Sequence, residues 1–253
     1  MPGFPEDMFV EAVKAIVKVE EDWVPSEPGT SLYIRPFMFA TEASVGVHMA
    51  TSYKFIIICC PVGAYYAEGI NPVKIMVEDE LVRAVQGGTG FTKCGGNYAA
   101  SILGQVKAEE KGFTQVLWLD GVERKYVEEV GTMNIMFKIA GEIYTAPIEG
   151  TVLPGVTRDS ILHILRDWGY KVNETKLSID DLMKAGHDGT LEEAFGTGTA
   201  AVISPVGELA YKEDVVTIND FKIGDLSQKL YDYLTGIQWG REEDKYGWTT
   251  PVE

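Results

Sequence analysis

Residues 87–98 read Gly87-Gly88-Thr89-Gly90-Phe91-Thr92-Lys93-Cys94-Gly95-Gly96-Asn97-Tyr98, which is five glycines around one lysine. Glycine has no Cβ, so the backbone of such a segment can approach a bulky ligand closely. A nucleotide P-loop is excluded, because that motif needs a glycine directly before the lysine and a hydroxyl residue after it, whereas Lys93 lies between Thr92 and Cys94. Two interpretations remain: an irregular turn with an exposed lysine, or a desolvated amine that forms a Schiff base with a carbonyl carbon.

Two segments further along the chain have the composition of anion-binding loops. Residues 153–158 (LPGVTR) open a predicted helix, and the free N–H groups of a helix N-terminus, together with the hydroxyl of Thr157, suit a phosphate. Residues 196–201 (GTGTAA) match a dinucleotide fingerprint only weakly, because strands rather than a helix are predicted after them. A glycine turn between strands is the other interpretation of this second segment. The two segments together could share one anion.

Two acids lie directly before a glycine turn in residues 128–134 (EEVGTMN). A solvated, charged strand end is the ordinary explanation of this pattern. A carboxylate can also keep a ring nitrogen protonated, which makes a pyridoxal ring an effective electron sink. On a predicted strand nearer the N-terminus, Tyr33 and Arg35 alternate onto one face. An inward arginine in so apolar a segment usually pairs with a carboxylate of the protein or of a substrate.

The charge balance excludes several classes of partner. The chain has 253 residues with 22 Lys and Arg against 38 Asp and Glu, a net charge of −16, so no nucleic-acid partner is expected. Its longest apolar run, residues 55–64, is about half the length of a membrane span, so we expect a buried strand and no membrane partner. Residues 1–21 are acidic and lack the basic start of a signal peptide, which predicts a cytoplasmic protein.

The residue types that bind metals are scattered along the chain. There are three cysteines and three histidines. The cysteines have neither the spacing of a disulfide framework nor that of a CxxC motif, and the histidines lie apart from one another without acids at metal-ligand spacing. We therefore predict reduced cysteines and no metal site.

Hydrophobic periodicity predicts an α+β fold in which strands outnumber helices. Apolar residues at helical spacing predict helices over residues 7–20, 97–111, 156–169 and 223–237, with another capped by Ser178. Residues 78–85 are predicted as a short helical turn. β-Branched and aromatic residues predict strands over residues 32–39, 53–62, 71–77, 115–119, 134–139, 142–146, 170–177, 199–206 and 208–211. No repeat or linker divides the pattern, which favours a single α+β domain.

Four motifs occur in the order GGTG-x-x-K-x-GGNYAAS, EEVGTMN, LPGVTR and FGTGTA. Together they closely resemble the branched-chain amino acid aminotransferases, which are class IV aminotransferases among the fold-type IV enzymes that use pyridoxal 5′-phosphate. The resemblance runs through nearly the whole chain, including SLYIRP at residues 31–36 and CPVGAY at residues 60–65. It implies that the α+β architecture is the large cofactor domain of that fold.

The resemblance implies a role for each residue around the cofactor ring. Lys93 would form the internal aldimine and, once displaced by the substrate amine, would shuttle the proton between Cα and the cofactor. Tyr98 would hydrogen-bond the phenolic oxygen of the ring, and Glu129 would pair with the ring nitrogen. Leu153 would pack on the ring.

The resemblance also implies the residues at the phosphate and at the substrate. The phosphate would be held by the backbone N–H groups of Val156 and Thr157 and by the hydroxyl of Thr199. The substrate side would be mostly apolar, which suits a branched side chain, with Arg35 available for the second carboxylate of glutamate. The residues implied there are Tyr33, Arg35, Val47, Tyr65, Thr132, Met133 and Ala200.

The implied reaction transfers the amino group between leucine, isoleucine or valine and 2-oxoglutarate in a homodimer. The partners would be branched-chain amino acids, their 2-oxo acids and glutamate. D-Amino acid aminotransferases and aminodeoxychorismate lyases share the lysine and glutamate arrangement and are the alternative enzymes. A non-catalytic remnant of the cofactor domain is the alternative without enzymatic activity.

Members of the resembled family begin with a smaller α/β domain, on the order of 100 residues by ordinary domain size. This chain would start near the end of that domain, so residues 1–25 are expected to be its remnant and residues 26–253 the cofactor domain. The small domain would supply a phosphate-binding arginine, and a charge-assisted contact of that kind is typically worth about 1.5 to 3 kcal/mol. We therefore expect weak cofactor binding and poor transamination from these residues alone.

Overall fold

The structure, a computed structural model, describes residues 1–63 and 70–252 and divides them between two compact units. The first unit spans Met1–Ala67 together with Asp244–Glu253, and the second spans Glu68–Glu243. The domain boundary expected at residue 25 stays a prediction. Within the described part of the chain, no helix is long and apolar enough to cross a membrane.

The first unit is built on a helix and a two-stranded hairpin. Helix α1 (Glu6–Val19) packs on strand β2 (Tyr53–Val62), which pairs antiparallel over its full length with strand β1 (Ser31–Ala40). The ring of Phe55 on β2 stacks on Phe4 at 4.1 Å between centroids, and Phe9 of α1 lies 6.1 Å from it. The helix and both strands predicted from the sequence are therefore confirmed in this unit.

The second unit contains a 9-stranded sheet with helices packed on it. Its strands are β3 (Val73–Glu78), β4 (Gln115–Leu119), β5 (Val127–Val130), β6 (Met133–Ile139), β7 (Glu142–Thr145), β8 (Val172–Glu174), β9 (Leu191–Gly198), β10 (Val202–Tyr211) and β11 (Asp214–Thr217). Its helices are α2 (Gly95–Glu110), α3 (Val156–Asp167), α4 (Ile179–His187) and α5 (Asp225–Gln238).

Six of these strands form a closed ring of hydrogen-bonded neighbours. The hydrogen-bonded order runs β10, β3, β4, β5, β6 and β9, and β9 pairs back onto β10. Strand β11 extends the sheet from β10, while β7 and β8 extend it from β6. Closure leaves no free edge within the ring, so the register of each strand is set by both of its neighbours.

Helix α2 packs on this sheet through a close contact between a glycine and an indole ring. A Cβ built on Gly104 would lie 2.6 Å from Cη2 of Trp118 on β4. Trp118 is buried in a cluster with Ala108 and Val116. Gly112 follows the helix with φ of +83°, as expected for a glycine after a helix C-terminus. These contacts position the first turn of α2, which carries Tyr98.

The helical turn predicted over residues 78–85 is wrong. Glu78 ends β3, and its carboxylate accepts hydrogen bonds from the backbone N–H groups of Glu80 at 2.8 Å and Leu81 at 2.9 Å. A side chain that takes these donors bends the chain and offers the backbone an alternative to a helical turn. The predicted cap of α4 is confirmed, because Ser178 Oγ accepts from the N–H of Asp181 at 3.0 Å.

Replacing Gly104 by leucine should destabilise the second unit by about 3 kcal/mol, because the new side chain must displace Trp118 from a packed core. The free energy of unfolding in urea measures the effect. The matched control is Gly95→Leu in the same helix, where a Cβ meets nothing within 4 Å, and a change within about 0.5 kcal/mol is expected. Equal losses in the two variants would contradict the packing argument.

Candidate active site

Lys93 lies in the loop directly before α2, and its Nζ is 2.9 Å from the hydroxyl oxygen of Tyr98. The loop is held in shape by Asn97, whose side-chain amide donates to the carbonyl oxygens of Thr89 at 2.7 Å and Thr92 at 2.8 Å. Asn97 is not among the site residues predicted from the sequence. The sequence does contain a signal for this role, because an asparagine in the first turn of a helix can hydrogen-bond the backbone of the preceding loop.

Gly90 in this loop is explained by close packing. A Cβ at Gly90 would lie 2.4 Å from the carbonyl oxygen of Thr151 and 2.5 Å from the Cβ of Ala84. The loop therefore passes against another segment of backbone rather than only against a ligand. Lys93 itself is exposed, so the desolvation invoked for a Schiff-base lysine is not present around it among the described residues.

Glu129 on β5 is a buried carboxylate, only 4% exposed. Its Oε1 accepts from the backbone N–H of Leu153 at 2.8 Å and from the side-chain amide of Asn134 at 3.2 Å. Its Oε2 lies 3.2 Å from Nε of Arg83. Burial raises the pKa of Glu129 to about 7, although Arg83 and the Leu153 N–H each act to lower it.

Arg83 is a site residue that was not predicted from the sequence. It is buried beside Glu129 and also donates to the carbonyl oxygen of Thr151. The hydroxyl of Thr151 donates in turn to Glu128 at 2.5 Å. Burial raises the pKa of Glu128, and the Thr151 hydroxyl partly offsets that effect. The sequence predicted that these two acids form either a solvated strand end or a partner for a ring nitrogen. In the structure Glu128 and Glu129 are both buried, and both accept hydrogen bonds.

A cleft brings several of the predicted residues together. Tyr98, Glu129, Thr132 and Leu153 all line it, together with Arg83. Thr132 is exposed at the two-residue turn between β5 and β6. The residue before it, Gly131, has φ of +54°, a conformation that glycine adopts without strain. The cleft therefore places a phenol and a buried acid at one opening in the second unit.

The residues predicted at the phosphate lie at two turns. Val156 and Thr157 are the first residues of α3, whose N-cap is Gly155 without a side-chain hydrogen bond, so N–H groups of this first turn are available to an anion. Thr199 and Ala200 are exposed in the turn between β9 and β10. Among the described residues no hydrogen bond joins these two turns, so a shared phosphate site stays a prediction.

Met133 has a packing role in this structure. Its side chain is 6% exposed, and a Cβ at Gly196 or Gly198 would lie 3.0 or 3.1 Å from it. The side chain thus fills the space above these two glycines of the FGTG segment. Its predicted contact with the substrate stays a prediction.

The remaining predicted substrate residues belong to the first unit. Arg35 is exposed on β1, and its guanidinium donates to the hydroxyl of Tyr33 and lies 5.0 Å from the centroid of that ring. The two residues share a face, as predicted. Val47 is fully exposed between β1 and β2. Tyr65 lies outside the described residues. No group of three or more possible metal ligands occurs in the described ranges.

The family model for amino-transferase class IV matches residues 2–209, so the chain belongs to the class IV aminotransferase family. It is 56% identical over 252 residues to branched-chain-amino-acid aminotransferase 2 of Bacillus subtilis, covering 100% of this chain and 69% of that protein. It is 53% identical to branched-chain-amino-acid transaminase 1 of the same organism, covering 100% of this chain and 71% of the relative.

Solved structures agree with this assignment. The branched-chain amino acid aminotransferase of Escherichia coli superposes with a TM-score of 0.82 at 27% identity, covering 100% of this chain and 78% of that chain. The branched-chain aminotransferase of Thermoproteus uzoniensis, solved with norvaline, superposes with a TM-score of 0.81 at 26% identity, covering 96% and 76%. The predicted fold-type IV architecture and the resemblance to this family are confirmed.

The raised pKa of Glu129 predicts how stability depends on pH. Between its ordinary pKa of 4.5 and about 7, the folded chain holds a proton on Glu129 that the unfolded chain has lost. Stability therefore falls as pH rises through this window and levels off above it. Glu129→Gln should remove this part of the pH dependence, which urea unfolding across the window measures. Parallel profiles for the two proteins would contradict the burial argument.

Proposed function

We propose that this chain transfers amino groups between leucine, isoleucine or valine and 2-oxoglutarate, with pyridoxal 5′-phosphate carried on Lys93. The main support is that one cleft is lined both by Tyr98, which is bonded to Lys93, and by the buried residue Glu129. The names of the relatives at 53–56% identity support the branched-chain substrate class.

The residues present fit the cofactor. Lys93 offers an exposed primary amine, and Tyr98 offers a phenol 2.9 Å from it. Glu129 offers a buried carboxylate whose pKa stays raised, at about 7, even with Arg83 beside it. A protonated ring nitrogen facing it would be a further positive group that favours its ionised form. The N-terminus of α3 offers N–H groups and the positive end of a helix dipole to a phosphate.

Pyridoxal 5′-phosphate, when bound, supplies an electron sink for the pair released at the substrate Cα and carries the amino group between the two half-reactions. Lys93 would hold the cofactor and would move the proton at the substrate Cα as a general base and acid. Tyr98 orients the lysine amine through its hydrogen bond. Glu129, fixed by three partners, would keep the ring nitrogen of the bound cofactor protonated.

The remaining substrate and phosphate residues are proposed from the family resemblance. Thr132, Met133 and Ala200 would face the substrate, and Thr199 would share the phosphate with Val156 and Thr157. The resemblance also assigns Tyr33, Arg35, Val47 and Tyr65 to the substrate, with Arg35 taking the second carboxylate of glutamate. A homodimer and a cytoplasmic location complete the proposal.

The alternative enzymes are less well supported. D-Amino acid aminotransferase and aminodeoxychorismate lyase share the fold type, but the relatives at 53–56% identity are named for branched-chain substrates. A non-catalytic cofactor domain makes a different prediction from an enzyme, because it would bind the cofactor without turnover.

The first experiment is the visible absorption spectrum of the purified chain with pyridoxal 5′-phosphate, before and after leucine is added. We expect a band that requires Lys93 and is replaced on adding leucine by the absorption of the pyridoxamine form. Lys93→Ala should lose the band and lower the rate of transamination by at least about 10²-fold, the scale of general acid–base catalysis. Lys111→Ala, an exposed lysine at the end of α2, is the matched control.

Each other outcome has a clear meaning. A band that needs Lys93 but does not respond to leucine would favour the non-catalytic cofactor domain. A band that responds to D-alanine and not to leucine would favour a D-amino acid aminotransferase. No band with the unmodified chain would remove the proposed function altogether.

Tyr98→Phe tests the role of the phenol. The variant loses the hydroxyl that lies 2.9 Å from Nζ of Lys93. A hydrogen bond to a charged group is worth about 1.5–3 kcal/mol, so we expect kcat to fall about tenfold or more. Steady-state transamination of leucine measures it, with Tyr231→Phe on α5 as the control. Unchanged kcat in Tyr98→Phe would show that the phenol does not act on the lysine.

A further inference from the structure

A row of polar residues crosses three neighbouring strands of the closed sheet. Glu129 on β5 pairs in register with Asn134 on β6, and Asn134 pairs in register with Thr197 on β9. Residues directly opposite each other in antiparallel strands place their side chains on the same face. All three are buried, with Asn134 5% and Thr197 1% exposed. Asn134 is thus the middle member of a row that begins at the ring-nitrogen acid.

The side-chain amide of Asn134 bonds two different elements. Its nitrogen donates to the carbonyl oxygen of Leu153 at 2.9 Å and to Oε1 of Glu129 at 3.2 Å. The N–H of Leu153 donates to the same Oε1 at 2.8 Å, which closes the network. The carbonyl of Leu153 also accepts from the N–H of Gly155 at 2.8 Å. One amide therefore ties the acid on β5 to the loop that leads into α3.

The contact with that loop leaves no room for a side chain. A Cβ built on Gly155 would lie 2.2 Å from Oδ1 of Asn134. Gly155 has φ of −69°, which any residue adopts, so the glycine is required by the amide and not by its backbone conformation. Gly155, the N-cap residue of α3, therefore packs directly against the side chain of Asn134.

From this geometry we propose that Asn134 is a positioning residue that holds the ring-nitrogen carboxylate of Glu129 and the phosphate-binding N-terminus of α3 at a fixed separation, so that one amide sets both ends of the cofactor site. The inference rests on the proposed function. Asn134 touches Glu129 and the loop rather than the reacting atoms. Its amide is needed because both of its acceptors require an N–H donor, which aspartate lacks.

The network also affects the charge on Glu129. Arg83 and Lys93 favour its ionised form, while burial and Glu128 favour the neutral form. The Asn134 amide donates to the same carboxylate, and a donor of this kind favours the ionised form. Loss of the amide should therefore raise the pKa of Glu129 further above about 7. An aspartate in its place would add a like charge and act in the same direction.

The test compares variants that break the contact from opposite sides. Asn134→Asp keeps the shape and removes the donor, while Gly155→Ala keeps Asn134 and displaces it by collision. Thr145→Val is the matched control: Thr145 is buried on β7 and donates to the carbonyl oxygen of Ile135 at 2.7 Å, so its loss removes one bond to β6 away from the acid. All are assayed as the full chain loaded with pyridoxal 5′-phosphate.

Two quantities are measured on each protein. The first is the dissociation constant of pyridoxal 5′-phosphate from titration of its visible band, which we expect to rise about tenfold in both variants, the loss of about 1.4 kcal/mol. The second is the pH midpoint of the spectral change that Glu129→Gln abolishes, which should move upward. Thr145→Val should leave both quantities at the values of the unmodified chain.

The outcomes separate this inference from the proposed function. Asn134→Asp and Gly155→Ala with unchanged affinity and pH midpoint would overturn the role of Asn134 while the Lys93-dependent band stands. A weaker affinity with an unchanged midpoint would also overturn it, because lost stability alone explains that result. If Asn134→Asp does not fold, Gly155→Ala decides in the same way. Absence of the band in the unmodified chain would overturn both the proposed function and this inference.

Discussion

The burial of the Glu129 carboxylate is the constraint around which the site is organised. A carboxylate removed from water is unfavourable unless donors and positive groups surround it. Arg83, the Leu153 N–H and the Asn134 amide meet that need from three separate segments of the chain. The residues Arg83, Asn134 and Leu153 also form hydrogen bonds with other parts of the chain. Their contacts with Glu129 therefore hold these segments in place relative to one another. The glycine-rich loop and the α3 N-terminus are arranged around it.

The closed sheet makes this arrangement possible. Glu129, Asn134 and Thr197 lie in line only because β5, β6 and β9 pair in one particular register. A slip of one residue would turn Asn134 to the opposite face and leave a buried acid without its amide partner. Closure through β10 fixes that register from both sides. The same constraint explains the tight turn at Gly131, which joins β5 to β6 with two residues between the strands.

Much of the local structure could be predicted from the sequence. Helix α2 and its terminal Gly112, and the cap at Ser178, follow from short-range spacing, and the structure confirms them. The helical turn over residues 78–85 was wrong, because the side chain of Glu78 competes for the N–H groups that a helix would use. Hydrophobic periodicity does not reveal such a competition, because it takes no account of a side-chain carboxylate that accepts backbone hydrogen bonds.

The family could be identified from the amino-acid sequence, and Lys93 and Glu129 could be proposed from it as site residues, because they lie in contiguous motifs. The burial of Glu129 and its contacts with Arg83 and Asn134 became evident only in the folded chain. Those partners lie on different strands and loops, and their meeting depends on strand register and closure. Periodicity indicates which face a side chain occupies, but it does not encode which distant residue lies opposite.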